Sequence, residues 1–333
     1  MKNHDRVVIG SVLLLVLAIG MLLSACSGPS TPTPTPLPTA TPTPRSTPLP
    51  ALPTAVPPGS ADLPVQMIVA PVEEPDSDRA EALAAALSEQ TGLAMDVELA
   101  ADSSAVMGLL CGGTPFVGWL DGVAFMAALA QDCVDPSLQI RRGGITGVQA
   151  ELLINSDLVG QQPGPEDVAS IAGRAFCRLN ADDAVSWVIA SLMLYQGGVH
   201  PLYDLQRIVE VESYDALVEA IYNRQCLAGA VPAGYLEADL DPDVADLEGL
   251  TERVLVVAES PVFPLGVMVY PDTVPLHIRL ALTDTLLRMA AERDPVLVDV
   301  LGPVSLQRVA ADDFADLRDF AEATGLDFAA LGE

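Results

Sequence analysis

The chain has 333 residues, of which 45 are acidic, 16 basic and 28 proline, giving a formal charge of −29. So acidic a surface excludes electrostatic docking on nucleic acid or on anionic lipid. Only His4, His200 and His277 are present and no Cys-x-x-Cys spacing occurs, so neither a metal nor any other cofactor is expected.

Lys2 and Arg6 precede an apolar run, Val7 to Leu23, followed by Ser24-Ala25-Cys26. A basic start, an apolar stretch and small residues before a cysteine resemble a bacterial lipoprotein signal. On that reading residues 1–25 are removed and Cys26 carries the lipid. A single spanning anchor is the alternative, although 17 residues is the lower limit for a span. Either way the remainder is expected outside the cytoplasm, held on the cell membrane. Without residues 1–25, which contain Lys2, Arg6 and Asp5, 14 basic and 44 acidic residues remain, a charge of −30.

Residues 26–61 read as a disordered linker. Twelve prolines fall between Pro29 and Pro58, mostly in Thr-Pro repeats that favour extended polyproline II. At about 3.1 Å per residue such a segment reaches on the order of 90 Å.

The folded part begins near Asp62. A first strand is expected over Leu63–Val69, a helix over Asp78–Gln90 ended by Gly92, and a second strand over Leu93–Leu99. Ser103–Leu110 is a short helix, Phe116–Leu120 a strand, Val123–Gln131 a helix and Leu138–Ile145 a strand. Strands then recur at Gln149–Asn155, Gly173–Leu179, Gln206–Val211, Cys226–Val231 and Glu252–Ala258, with a helix over Tyr214–Asn223 capped by Ser213. After the strand Gly266–Tyr270 the chain turns helical, most clearly at Thr283–Glu292 and Asp313–Thr324. Alternating strands and helices imply mostly parallel sheets flanked by helices. Ser104–Met126 and Tyr214–Leu236 repeat one order of helix, cysteine, turn, strand, turn and helix, which points to two lobes built alike.

Phe176–Gly198 is the most informative stretch: an apolar strand, a polar turn Asn180-Ala181-Asp182-Asp183, then a helix stopped by Gly197-Gly198. A strand entering a helix N-terminus is where open α/β sheets hold ligands. The same residues also serve as plain helix caps. Cys111, Cys133, Cys177 and Cys226 allow three pairings in an exported protein, or none if they are free and buried. Cys111–Cys133 and Cys177–Cys226 are favoured because each stays within one expected lobe. No GxSxG, P-loop, GxGxxG or HExxH motif occurs, so no enzyme is expected.

The order of these pieces, from about Leu63 to Pro295, resembles the phosphate/phosphite/phosphonate (PhnD-like) group of type 2 periplasmic binding proteins of ABC importers. The resemblance is carried by Ala70-Pro71, Gln90-Thr91-Gly92, Cys111-Gly112-Gly113, Asn155-Ser156-Asp157, Gly197-Gly198-Val199, Ala228-Gly229-Ala230-Val231, Glu259-Ser260 and Pro264. It implies two lobes closing on a small ligand and docking on a membrane permease driven by an ATPase. Crossovers fall at Gly144–Gln149 and Ala258–Leu265, giving one lobe of residues 62–147 plus 262–333 and another of 148–261. The cleft candidates are Val72, Glu73, Trp119, Asp121, Arg178, Asn180, Asp182, Asp183, Ala230, Ser260 and Phe263. Trp119 reads equally as an apolar wall and as a core residue. Where phosphonate binders carry a Ser/Thr-rich turn, this chain has Asp182-Asp183, which repel an anion. An uncharged or amine-bearing ligand is therefore an equal expectation. A membrane-anchored sensor or surface-binding module without a transporter is the alternative function.

Overall fold

The computed structural model describes residues 56–70, 72–112, 116–159 and 163–328. The targeting segment, Cys26, the linker to residue 55, Pro71 and Gly113 lie outside the described residues. Two sheets carry the fold. The first half supplies β1 (Val65–Val69), α1 (Ser77–Thr91), β2 (Met95–Leu99), α2 (Ser103–Cys111), β3 (Phe116–Leu120), α3 (Gly122–Ala130) and β4 (Asp135–Arg141). The chain crosses through β5 (Gly147–Val148) into β6 (Ala150–Asn155), β7 (Ala175–Arg178), α4 (Ala190–Gln196), β8 (Arg207–Glu210), α5 (Tyr214–Tyr222) and β9 (Ala228–Pro232). The short helices α6 (Tyr235–Ala238), α7 (Pro242–Ala245) and α8 (Leu250–Arg253) lead to β10 (Val254–Glu259). It returns through β11 (Phe263–Pro264) to β12 (Val267–Tyr270), α9 (Leu276–Glu292), α10 (Pro295–Leu301), β13 (Ser305–Arg308) and α11 (Ala315–Ala323).

The first sheet has the order β13-β4-β12-β3-β1-β2 and the second β10-β6-β9-β7-β8. β1 runs parallel to β2 and β3, and β7 parallel to β8 and β9. The sheets are mixed, however, because each accepts an antiparallel strand delivered by a crossover: β12 beside β3 and β6 beside β9. A strand that arrives directly from the other sheet enters at the opposite end, so it runs against its neighbours. β5 and β11 pair as a two-stranded ribbon between the sheets. Gly147 is required there, since a Cβ would collide with the Phe263 carbonyl.

Burial follows the apolar pattern. One face of the first sheet packs Met67, Val69 and Trp119 against Leu83, Leu87, Ile278 and Leu282 of α1 and α9. The other face covers α3, where seven of nine residues are buried, so this helix is apolar all round and must be enclosed. Phe125 meets Phe314 edge-on at 4.7 Å, and the same apolar cluster continues through Leu152, Ile154, Val185 and Ile189 of the second half. The C-terminal helices return to the first sheet as expected: α9 and α10 lie on α1, and α11 on α3.

Both favoured disulfides are formed: Cys111–Cys133, with Cα atoms 5.0 Å apart, and Cys177–Cys226, at 5.7 Å. Three local differences have physical causes. The strand expected over Leu138–Ile145 stops at Arg141, because Arg142 and Ile145 exchange backbone hydrogen bonds and close a turn. The ninth helix begins at Leu276, seven residues before the expected Thr283, behind Pro275. β13 is a short edge strand with half its residues exposed, so its sequence lacks an apolar signal.

Candidate functional site at the carboxyl edge of the first sheet

The carboxyl ends of β1, β2, β3 and β4 open into a cavity of about 760 Å³. Val69, Ala70, Val72, Glu73 and Glu74 enter from β1 and the loop after it, and Arg79 from the first turns of α1. Trp119, Ile140, Leu265 and Gly266 form an apolar wall, while Arg142 and Val300–Gly302 close the far side. All of these residues belong to the first sheet, its helices and the exit from β11.

Two arginines hold the rim to the end of α10. Arg142 Nη2 donates to the Leu301 carbonyl at 3.2 Å, and Arg79 Nη1 to that of Asp299 at 3.3 Å. The last carbonyls of a helix carry its negative dipole end, which favours these cations. Arg79 also donates to the Glu74 carbonyl and lies 3.9 Å from Asp76. Trp119 is 2% exposed, and its indole N–H has no acceptor among the described residues. It lies against Gly266, where a Cβ would come within 2.8 Å of Nε1.

Of the residues picked out from sequence, Val72, Glu73 and Trp119 meet in this cavity. The others lie elsewhere. Asp121 caps α3, accepting from the Val123 and Ala124 N–H groups at 2.9 Å. Ala230 and Phe263 are core residues. Ser260 is 2% exposed and ties the crossovers together: its hydroxyl accepts from the Ala150 N–H and donates to the Pro261 carbonyl.

The acidic turn of the second sheet is occupied by its own helix. Asn180 accepts from the Asp182 N–H at 2.8 Å, forming a local turn, and the Asp182 side chain is exposed. Asp183 Oδ1 accepts from the Ser186 N–H at 2.6 Å and from the Tyr214 hydroxyl at 3.0 Å. Burial, followed by the Asp183 charge, pushes the Tyr214 phenol well above its ordinary range. Neighbouring Tyr235 is pushed up to about 12, by burial first and then by its bond to Asp215. Arg178 is committed as well, paired with Glu210 at 2.9 Å and stacked 4.5 Å over Trp187. Residues 184–189 wind as a wide π turn before α4 begins.

Sequence reasoning missed Glu74, Arg79, Arg142 and the end of α10. Arg142 sits in the Arg141-Arg142-Gly143-Gly144 run, a basic spot in a chain poor in cations, and that was the available signal.

A family model described as ABC transporter, phosphonate, periplasmic substrate-binding protein matches residues 67–316. The chain belongs to that family. Its fold is similar to XAC2383 from Xanthomonas citri, solved with chloride and with ATP. Both give a TM-score of 0.50 at 13% identity, covering 78% of this chain and 97% and 96% of those chains. A binding protein component of an ABC phosphonate transporter from Pseudomonas aeruginosa gives a TM-score of 0.44 at 18% identity, covering 78% of this chain and 87% of its own. No curated protein matches the chain in sequence. The family consists of extracytoplasmic substrate-binding proteins, which are not an enzyme class, and implies a small-molecule ligand with permease and ATPase partners. Among the described residues no helix is long and apolar enough to cross a membrane.

Proposed function

We propose that this family member is the solute-capturing lipoprotein of an ABC importer. Cys26 anchors it, the Pro/Thr-rich segment gives it reach, and the cavity beside β1 and β3 receives a small solute bearing an anionic group. The observation that carries this reading is Arg142 at the cavity rim. Its guanidinium has five N–H donors, one of which is used by Leu301, and no carboxylate is in contact with it among the described residues. Guanidinium groups match phosphonate and carboxylate oxygens two bonds at a time. The acidic turn at Asp182-Asp183 does not count against an anion in this cavity, since Asp183 is spent on its own helix and on Tyr214.

Thermal-shift screening of the full-length protein in detergent against small phosphonates, phosphate and carboxylates tests the reading. A ligand at a hundred times its Kd stabilises by about 2.7 kcal/mol, and Arg142→Gln abolishes that gain. Absence of any stabilising solute, or an Arg142→Gln variant that responds like the parent, refutes it. Cys26→Ser moves the protein from the membrane fraction to the soluble fraction if the anchor is lipid on Cys26.

A further inference from the structure

We infer that the two crossovers bend at one point, a bulge at Pro261–Val262 opposite Gln149, and that the Ser260 hydroxyl is the positioning group that sets how readily they bend. On the capture reading, on which this use of the bend rests, Ser260 governs the opening of the cavity without touching the solute.

The pairing of the crossovers locates the bend. Beside the second sheet the Ser260 N–H donates to the Ala150 carbonyl at 2.9 Å, continuing the register of Glu259 with Glu151. Beside the first sheet Phe263 pairs with Val148 and Pro264 with Gly147, and the Leu265 N–H donates to the Thr146 carbonyl at 2.9 Å. Between these paired stretches lie Pro261 and Val262 on one strand and Gln149 alone on the other. Two residues facing one make a bulge, which bends and twists a ladder locally. Proline has no N–H to give to a ladder, and within sheets it is confined to edges, strand starts and bulges. β10 carries an earlier shift of register between Val256 and Ala258, so both irregularities fall on the returning strand.

Side chains replace the ladder at this bulge. The Ala150 N–H donates to the Ser260 hydroxyl at 2.9 Å, and the hydroxyl donates onward to the Pro261 carbonyl at 2.8 Å. The Ser260 carbonyl accepts from the Gln149 side-chain amide at 2.7 Å. Buried backbone groups have to be paired, and here they are paired through side chains that rotate. The ribbon beyond is stiffer: a Cβ on Gly147 would lie 2.3 Å from the Phe263 carbonyl, so the two strands touch there. A few such residues between rigid elements absorb the change of backbone angles in a hinge. Bending at this point reaches the cavity, because Leu265 and Gly266 follow the ribbon directly and line it.

Pulsed electron resonance on the full-length protein in detergent, without solute, tests this. Spin labels are placed at exposed Glu89 of α1 and Glu219 of α5 through genetically encoded unnatural residues, which leaves the disulfide cysteines untouched. Ser260→Ala and Gln149→Leu are each expected to raise the minor distance population roughly tenfold, the ratio one lost hydrogen bond supplies. Ser260→Thr, which keeps the hydroxyl, is expected to restore the parent distances. Hydrogen exchange of residues 146–150 and 258–265 is expected to quicken by roughly the same factor in Ser260→Ala, with α1 and α9 unchanged. Parent-like distances in Ser260→Ala, or a threonine variant that behaves like the alanine one, overturn the inference. So does exchange that quickens equally in both sheets, which would make Ser260 an ordinary core residue. Arg142→Gln is expected to leave every one of these readings at the parent value. A failed solute screen therefore removes the capture reading with the bend still measured, and a failed Ser260 series removes the bend with capture intact.

Discussion

Replacing Glu151 with glutamine is expected to stabilise the protein at neutral pH and to have little effect in acid. Glu151 is the second residue of β6, where the first crossover enters the second sheet, and it is 8% exposed. One carboxylate oxygen accepts from the Gly234 N–H at 3.0 Å; the other is buried with no partner among the described residues. Its cross-strand neighbour on β10 is another acid, Glu259. Burial raises its pKa above the ordinary 4.5, the Gly234 N–H partly opposes this, and the charges of Glu237 and Glu259 add to the rise. A carboxyl raised in the folded state favours folding when protonated. Its contribution is therefore fully present below 4.5 and is lost as pH rises through the folded value. Glutamine keeps the acceptor for Gly234 and removes the charge. A buried unsatisfied polar atom costs about 1–3 kcal/mol. With one oxygen already bonded, a gain of about 1 kcal/mol is expected, read as a rise of about 2–3 °C in Tm for a domain of this size. Thermal unfolding of Glu151→Gln and the parent at about pH 7.5 and about pH 4 measures it. A lower Tm for the variant at the higher pH, or the same difference at both, refutes the reasoning.

Asp183→Ala removes a cap and the acceptor of the Tyr214 hydroxyl. It is expected to cost about 1–2 kcal/mol in chemical denaturation. Asp183→Asn should lower the midpoint at which Tyr214 ionises, followed by phenolate absorbance, because the facing charge is gone. Opening the Cys177–Cys226 bridge by paired alanines is expected to cost about 3–4 kcal/mol, and opening Cys111–Cys133 about 0.7 kcal/mol less, from their separations of 49 and 22 residues. Equal losses would argue that strain or residual structure, not loop closure, sets the cost.

The parts of the fold that were legible in the sequence rest on local physics. The third strand is observed at Phe116–Leu120 as read, because five apolar residues between turns need burial on both faces. Ser213 caps α5 as read, accepting from the Ala216 N–H. What periodicity could not carry is order in space. β6 and β12 read as ordinary strands, and nothing in their residues says that each is inserted antiparallel into its sheet. The cavity was half legible for the same reason. Val72, Glu73 and Trp119 follow from being at strand ends, whereas Arg79 and Arg142 join the cavity lining beside α10, a seven-residue helix that Asp294 caps. A helix that short shows too little of a period to be found by pattern.

The two halves repeat one strand scheme, so an acidic turn falls at the same place in each. Reading inward from β2 and from β8, both sheets run parallel, parallel and then antiparallel: β2-β1-β3-β12 and β8-β7-β9-β6. The loop after β1 therefore corresponds to the turn after β7, and each carries an acid pair, Glu73-Glu74 in one and Asp182-Asp183 in the other. What separates them is the position of the cap. After β7 the second acid of the pair is itself the N-cap, so the carboxylate is drawn onto the Ser186 N–H. After β1 the cap is Asp76, further along the chain, so α1 starts without using Glu73 or Glu74. The extra residues before Asp76 lengthen the loop, and Arg79 ties its Glu74 carbonyl to the end of α10. The same strand-to-helix junction thus gives a closed turn in one half and a charged, open rim in the other.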